Sequence, residues 1–369
     1  MSKQPNQKSI VFYIGSLCRG GAERVIVNLA AYFCEQRYRV TIVTKEQDTD
    51  EYPVPEGVTR ILADIIGDEI SSSRITNLCR RIRKLRNIFK QLEPDYIVSF
   101  IKKNNFMAIT AAAGMHIPVI VSVRSNPARE YSDKLTRFLA NTLFAKAAGV
   151  VLQTSQAKEF FVEAVRKKVV ILPNSLSEQF LQERVACERR KEIIWVGRMD
   201  ANKNPKMLLQ AFAEIAEKYP EWIVKFVGEG YQREELEKIS LENNMAGQIS
   251  FIGRVDDVPS VIKEASVFVL TSKQEGMPNA LIEAMVSGLA SISTDCPCGG
   301  PAELIQNGIN GMLIPVDDRT ALVKALDKVL ADDEYRCSLG QNAGKLIEKV
   351  HPDIVNRKWL EYIESTSKA

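Results

Sequence analysis

Two consecutive α/β domains, each built on a doubly wound parallel sheet, are what this sequence predicts. Three observations carry the prediction. Short, almost wholly apolar β-branched runs alternate with longer amphipathic stretches, the pattern of strands covered on both faces by helices. The alternation stops once, in a polar and charged stretch, and then resumes. The chain has 369 residues, more than a single hydrophobic core usually serves.

The first series begins with SIVFYIG (9–15), an amphipathic stretch from 21 to 36, and YRVTIVT (38–44). DYIVSF (95–100), PVIVSV (118–123) and GVVLQT (149–154) continue it. The second series is EIIWVG (192–197), WIVKFVG (222–228), QISFIG (248–253), SVFVL (266–270) and ASIST (290–294). The break lies between Ser175 and Lys191, giving an N-terminal domain over 1–180 and a C-terminal domain over 190–350. In the last stretch, 351–369, Ile354, Trp359, Leu360 and Ile363 fall at helical spacing, which predicts a helix packed on one of the domains, the N-terminal one expected. In doubly wound domains ligands are expected at the carboxyl ends of the strands.

Composition excludes several classes. Hydrophobic content of 45% and charged content of 26% are those of a soluble globular chain. A net charge of +3 gives no basis for nucleic-acid binding. The seven cysteines are odd in number and irregularly spaced, which favours reduced thiols over a disulfide framework. Cys296 and Cys298 flank a single residue, and the chain has only two histidines, so metal-site spacing is absent. MSKQPNQKS lacks a signal-peptide core. FMAITAAAGMHIPVIVSV (106–123) is interrupted by Gly114, His116 and Pro118, so it reads as a buried helix followed by a buried strand, not a membrane span.

The loops of the second half carry the chemistry. VGRMDANKNP (196–205) leaves a strand with Arg198 and Lys203 five apart, and Pro205 suits a first helical position. Such a pair can clamp a diphosphate through a forked guanidinium and a mobile ammonium, or can be two solvated surface cations. VGEGYQREEL (227–236) places Gly228 and Gly230 between strand and helix, where backbone can approach a ligand. FIGRVDDV (251–258) ends a strand in Gly253 and Arg254.

SKQEGMPNALIEAMVSG (272–288) starts a helix at Pro278, with Glu275 in the loop before it and Glu283 inside it. Amides near Gly276, Met277 and Asn279 would point at a phosphate. A carboxylate has the acceptor capacity for a vicinal diol. Glu275 can instead be an acid near a helix start, worth about 0.3–1 kcal/mol. Glu283 sits among Leu281, Ile282, Ala284 and Met285, where a carboxylate without partners is costly.

These elements, with GGPAELIQNGINGMLIP and the first-half GSLCRGGAERVIVNLA, resemble in order and spacing the retaining glycosyltransferases of family 4, as found in bacterial cell-envelope glycan synthesis. The resemblance covers nearly the whole chain and implies the GT-B fold, two Rossmann-like domains facing across a cleft. It implies that Arg198 and Lys203 hold the diphosphate of a nucleotide-sugar, that Glu275 holds the donor sugar and Glu283 the ribose, and that backbone at Arg254 and Val255 lies near the base. It implies a reaction without a metal ion. DTD (48–50) resembles a metal motif of another glycosyltransferase fold but reads here as a solvated loop.

In the first half, Gly20 and Gly21 precede a helix, either to admit a donor phosphate or acceptor or to make a tight turn. SVRSNP (122–127) shows Arg124 where many relatives of the family carry a histidine. An arginine can bind a phosphate or a hydroxyl but is a poor base. RITNLCRRIRKLRNIFKQL (74–92) has seven cations and no acids, with Arg80, Arg83 and Lys84 opposite an apolar stripe. It can meet anionic lipid or an acceptor diphosphate, or be a packed helix with a solvated basic face.

The expected activity is therefore transfer of a hexosyl or N-acetylhexosaminyl group, from a UDP-sugar, to a lipid-linked or cell-envelope glycan. The expected setting is the inner face of the cell membrane, with peripheral attachment to its anionic surface. A nucleotide-sugar epimerase and a catalytically silent partner subunit share the fold. The first would need acid/base groups that two histidines scarcely supply, and the second would have no use for Arg198, Lys203, Glu275 and Glu283 together.

Overall fold

A computed structural model of the chain describes residues 7–18, 20–181, 189–255 and 257–368. The chain divides into two compact units, Met1–Pro173 with Val355–Ala369, and Asn174–Ile354. Each unit is an α/β domain on its own parallel sheet.

The first unit has seven strands: β1 (Ser9–Ile14), β2 (Arg39–Thr44), β3 (Thr59–Leu62), β4 (Tyr96–Phe100), β5 (Val119–Ser122), β6 (Gly149–Leu152) and β7 (Val169–Ile171). Their order is β3-β2-β1-β4-β5-β6-β7, all parallel. Every residue of β1, β4, β5 and β6 is buried, as helices on both faces require. The 106–123 stretch is divided between the helix Lys102–Ala112 and β5, and Gly114 and His116 adopt positive φ between them. Among the described residues no helix is long and apolar enough to cross a membrane.

The C-terminal helix Pro352–Ser365 completes this unit's core. Trp359 is fully buried and stacks on Phe100 with ring centroids 5.7 Å apart. The Tyr362 hydroxyl accepts from the Val150 amide at 2.9 Å and donates to the Lys168 carbonyl. Glu364 accepts from Tyr38 at 2.6 Å.

The second unit has six strands: β8 (Arg190–Val196), β9 (Ile223–Val227), β10 (Ile249–Gly253), β11 (Ala265–Leu270), β12 (Ala290–Thr294) and β13 (Met312–Ile314). They run parallel in the order β10-β9-β8-β11-β12-β13. The unit starts at Asn174, ahead of the break read from the sequence, because 174–181 belong to its packing. Asn174 bonds to Met277 and Asn279, the Leu176 amide donates to the Val350 carbonyl at 2.8 Å, and Leu176 and Phe180 enter its core. Part of the charged stretch, 182–188, lies outside the described residues.

Cys18, Cys34, Cys79, Cys296 and Cys298 are free thiols. Cys337, by contrast, is disulfide-bonded, which corrects the expectation of reduced thiols throughout. Irregular sequence spacing gives no sign of which cysteines the fold brings together.

Candidate active site

Strand order reverses between β8 and β11 in the second sheet, so the loops leaving those two strands diverge and open the crevice where an α/β sheet binds ligands. Arg198 and Lys203 lie on the first loop and Glu275 on the second. The Lys203 ammonium meets Glu275 Oε1 at 2.6 Å, with 24% of the lysine side chain and 12% of the glutamate side chain exposed. Arg198 is outermost, 76% exposed, and its Nε donates to Asp200 Oδ2 at 2.8 Å.

Asp200 organises this loop. Its Oδ1 accepts from the Asn202 amide at 3.0 Å and the Lys203 amide at 2.9 Å, an Asx turn that bends the chain back. Burial pushes the Asp200 carboxyl up, but the Lys203 amide and Arg198 outweigh it and hold the group below its ordinary value. Three bonds then tie the two loops together. The Lys273 amide donates to the Asn202 carbonyl at 2.7 Å, Asn202 Nδ2 to the Gln274 carbonyl at 3.1 Å, and the Thr271 hydroxyl to the Lys203 carbonyl at 3.0 Å. Trp195 Nε1 in turn holds the Thr271 hydroxyl at 3.1 Å.

Glu275 is pinned from the other side as well. Its amide donates to the Pro297 carbonyl and its carbonyl accepts from the Cys298 amide, both at 2.8 Å. Beside it the Cys296 thiol is pushed up to about 12, by burial first and then by the negative charge of Glu275. Gly300 allows this approach, since a Cβ there would lie 1.8 Å from the Gly276 carbonyl oxygen. The helix Asn279–Val286 follows Pro278. Asn174 fixes its start, with Nδ2 donating to the Met277 carbonyl at 3.0 Å and to Asn279 Oδ1 at 2.7 Å. Glu283 is buried within this helix. The Met277 side chain packs into the core, so only its backbone is placed to meet a ligand.

The glycines of the next loop serve the protein's own backbone. Gly228, at φ 130°, would put a Cβ 1.9 Å from the Gly197 carbonyl oxygen, and Gly230 one 2.3 Å from that of Met199. The Met199 amide donates to the Glu229 carbonyl at 2.9 Å. Arg254 is exposed at the end of β10, and half-buried Val255 packs against the core.

In the first unit the order reverses between β1 and β4. Gly20 caps the helix Gly21–Glu35 with extended backbone, and a Cβ there would meet the Glu23 carboxylate at 2.3 Å. Burial raises the Glu23 carboxyl. Arg124, half-buried after β5, lies over the Phe100 ring at 5.5 Å, and burial pushes its guanidinium down to about 9. Near it, Glu130 accepts from the Ser125 hydroxyl at 2.5 Å and the Tyr131 hydroxyl at 3.3 Å.

The basic helix uses two of its three singled-out cations internally. Arg80 donates to the Glu69 carbonyl at 2.6 Å, and Lys84 to the Asp64 carbonyl at 2.5 Å and the Glu69 carboxylate at 3.2 Å. Arg83 is exposed. Asp48, Thr49 and Asp50 are exposed, with Asp48 bonded to the Thr49 amide and hydroxyl. Among the described residues no group of three or more His, Cys, Asp or Glu could hold a metal.

Of the residues singled out from the sequence, the structure pairs Lys203 with Glu275 and puts Arg198 on the same loop as Lys203, whereas Asp200, Asn174 and Gly300, which shape these loops, were not singled out. Asp200 had a signal, since Asp-Ala-Asn-Lys between strand and helix is turn chemistry. Asn174 had none, because it acts about a hundred residues away along the chain.

Two α/β units, with a cation–carboxylate constellation at the switch point of the second, define a GT-B glycosyltransferase. Residues 177–346 match the family model described as "Glycosyl transferases group 1" and residues 19–179 the one described as "Glycosyltransferase Family 4". Between them the two models cover residues 19–346, so the chain is similar to glycosyltransferases of these groups over nearly its whole length.

A curated relative from Campylobacter jejuni, 29% identical over 98% of this chain and 99% of its own length, is "GalNAc-alpha-(1->4)-GalNAc-alpha-(1->3)-diNAcBac-PP-undecaprenol alpha-1,4-N-acetyl-D-galactosaminyltransferase". Another, from Escherichia coli, is "UDP-Gal:alpha-D-GlcNAc-diphosphoundecaprenol alpha-1,3-galactosyltransferase", 25% identical over 85% of each chain. Among solved structures, Anabaena HepE in complex with UDP and glucose superposes with a TM-score of 0.80 at 16% identity, over 97% of this chain and 100% of the other. The lipopolysaccharide outer core galactosyltransferase WaaB gives 0.79 at 19% identity, over 97% and 99%.

Proposed function

We propose that this glycosyltransferase is a retaining enzyme that moves a hexosyl or N-acetylhexosaminyl group from a UDP-sugar to a lipid-linked glycan of the cell envelope, without a metal ion. The observation that carries the proposal is the Lys203–Glu275 pair, held on two loops at the sheet's switch point with Arg198 beside it. The leaving UDP develops negative charge as the anomeric C–O bond breaks. Fixed cations are what that charge requires. Lys203 has three donors, so it can keep Glu275 and take a phosphate oxygen together. Glu275 then holds sugar hydroxyls on the far side of the diphosphate, and Glu283 the ribose diol. The acceptor hydroxyl attacks from the face the diphosphate leaves, and its proton passes to a diphosphate oxygen. No protein base is needed, which suits a chain with Arg124 where many relatives of the family carry a histidine. Gly20, Gly21 and Arg124 serve the acceptor or the donor phosphate.

The acceptor class rests on the relatives above, whose names place a glycan on undecaprenyl diphosphate. Action on such an acceptor places the enzyme peripherally at the inner face of the membrane. The test incubates the protein with UDP- and GDP-sugars and undecaprenyl-diphosphate-linked acceptors, and follows product mass. One added sugar residue from a UDP donor supports the proposal, and conversion of free UDP-sugar to its epimer refutes it.

A further inference from the structure

The first unit carries an apolar surface that the chemistry above does not use. Leu62, Ile66, Ile70, Ile75 and Leu78 are all exposed within seventeen residues, Ile66 by 72% and Ile75 by 77%. They lie where the chain leaves β3 and enters the helix Arg74–Leu92. Because that helix runs back to the start of β4, its first turns stand at the carboxyl end of the sheet, the end that also presents Gly20, Gly21 and Arg124. A cluster of large aliphatic side chains left in water needs a partner to cover it.

The segment is held in shape rather than loose. Arg80 and Lys84 bind the Asp64 and Glu69 carbonyls, and Arg81 Nε meets Asp64 Oδ1 at 2.9 Å. Asn77 exchanges two bonds of 2.7 Å with the Ser71 backbone, and the Ser73 hydroxyl accepts from the Thr76 amide at 3.3 Å. Ala63 and Ile65 are buried and anchor its root. Arg80 and Lys84, two of the three cations singled out from the sequence, are therefore braces, while the aliphatic side chains are exposed. Exposed Arg74 and Arg83 flank them.

We infer that the segment 62–78 is a wedge that enters the hydrocarbon edge of an anionic bilayer, with Ile66, Ile70, Ile75 and Leu78 immersed and Arg74 and Arg83 at the phosphate level. Charge and side-chain type both favour lipid over a protein partner. Asp64 and Glu69 of the segment are paired with Arg81 and Lys84, which leaves exposed Arg74 and Arg83 to meet anionic headgroups. Aliphatic chains beside cations are the composition of an interfacial helix, whereas protein hot spots are rich in Trp and Tyr and poor in Leu. The inference rests on the lipid-linked acceptor proposed above, since the wedge would hold the acceptor loops of this unit at the membrane surface.

All three native tryptophans are fully buried, so an Ile75→Trp variant reports insertion against a quiet background. With phosphatidylglycerol–phosphatidylethanolamine vesicles, its emission should shift to the blue and be quenched by lipids brominated in the acyl chains, while the wild type is not quenched. Ile66→Ser with Ile70→Ser should lower vesicle binding about tenfold or more, the order expected from removing two immersed aliphatic chains, with an unchanged circular dichroism spectrum. Bound Ile75→Trp protein without quenching, or undiminished binding of the double variant, overturns the wedge. UDP-sugar turnover with a water-soluble acceptor analogue, measured separately, distinguishes this failure from that of the proposed reaction.

Discussion

The Lys203–Glu275 pair allows a prediction with a worked magnitude. At 2.6 Å and an effective dielectric constant of about 20, the gross attraction is roughly 6 kcal/mol. Desolvation opposes it, because most of each side chain is removed from water, and that cost is several kcal/mol for the two ions together. The net coupling should fall between the values of about 0.2–1 kcal/mol for exposed pairs and about 3–5 kcal/mol for breaking buried ones, so about 2 kcal/mol. The perturbation is a double-mutant cycle of Lys203→Met and Glu275→Gln, with urea unfolding of the ligand-free protein as the assay. Each single variant should lose stability, because it leaves a part-buried charge facing a neutral group, and the double variant should lose less than the sum of the two. The double variant should regain about 2 kcal/mol. Additivity within about 0.5 kcal/mol would mean that the two groups do not interact, and the reasoning would fail. Turnover should behave differently. Either change should lower kcat by about a hundredfold or more, and the double variant should recover none of it.

Further outcomes follow from the same geometry. Asp200 sits below its ordinary value of 3.8, so its stabilisation is complete above that value and is lost as pH falls through the lower folded one. Asp200→Asn should remove that component of acid unfolding and lower kcat, whereas an unchanged acid limb would place its partners elsewhere. Trp359→Ala should cost about 3–5 kcal/mol, seen as earlier unfolding of the first unit, with UDP binding to the folded protein retained. A loss below about 1 kcal/mol would mean that the terminal helix is not part of that core. Gly228→Ala should destabilise the second unit by about 2 kcal/mol or more, since positive φ and a 1.9 Å approach to Gly197 coincide. A neutral effect on thermal unfolding would refute the close approach. Glu283→Ala should raise KM for the donor and Glu275→Ala should mainly lower kcat, and unchanged kinetics in both would remove them from the site.

Strands buried on both faces announce themselves as unbroken apolar runs, which is why β1, β4 and β5 were legible and both sheets could be read as parallel. β3 was not, because at the sheet edge Thr59 and Leu62 are exposed and Arg60 and Ile61 only half-buried, so that signature is lacking. β13 has three residues, too few for a periodic signal. The candidate site was legible where type and spacing determine the chemistry, as in Arg198, Lys203 and Glu275. It was opaque where tertiary contact decides. Nothing near Asn174 reveals that it fixes the helix after Pro278, and Gly300 becomes meaningful only once its chain crosses Gly276. The basic helix shows the limit of composition alone. Its cations were visible in sequence, but not that Arg80 and Lys84 turn back to the Asp64–Glu69 segment and leave the isoleucines outside.

Product stereochemistry tests the central claim most directly. The protein would be incubated with an α-configured UDP-sugar and an undecaprenyl-diphosphate-linked acceptor in the presence of EDTA, and the new linkage read by the anomeric proton coupling in NMR. The account predicts an α linkage formed at the metal-free rate. A β linkage, or transfer abolished by EDTA and restored by a divalent cation, would contradict it.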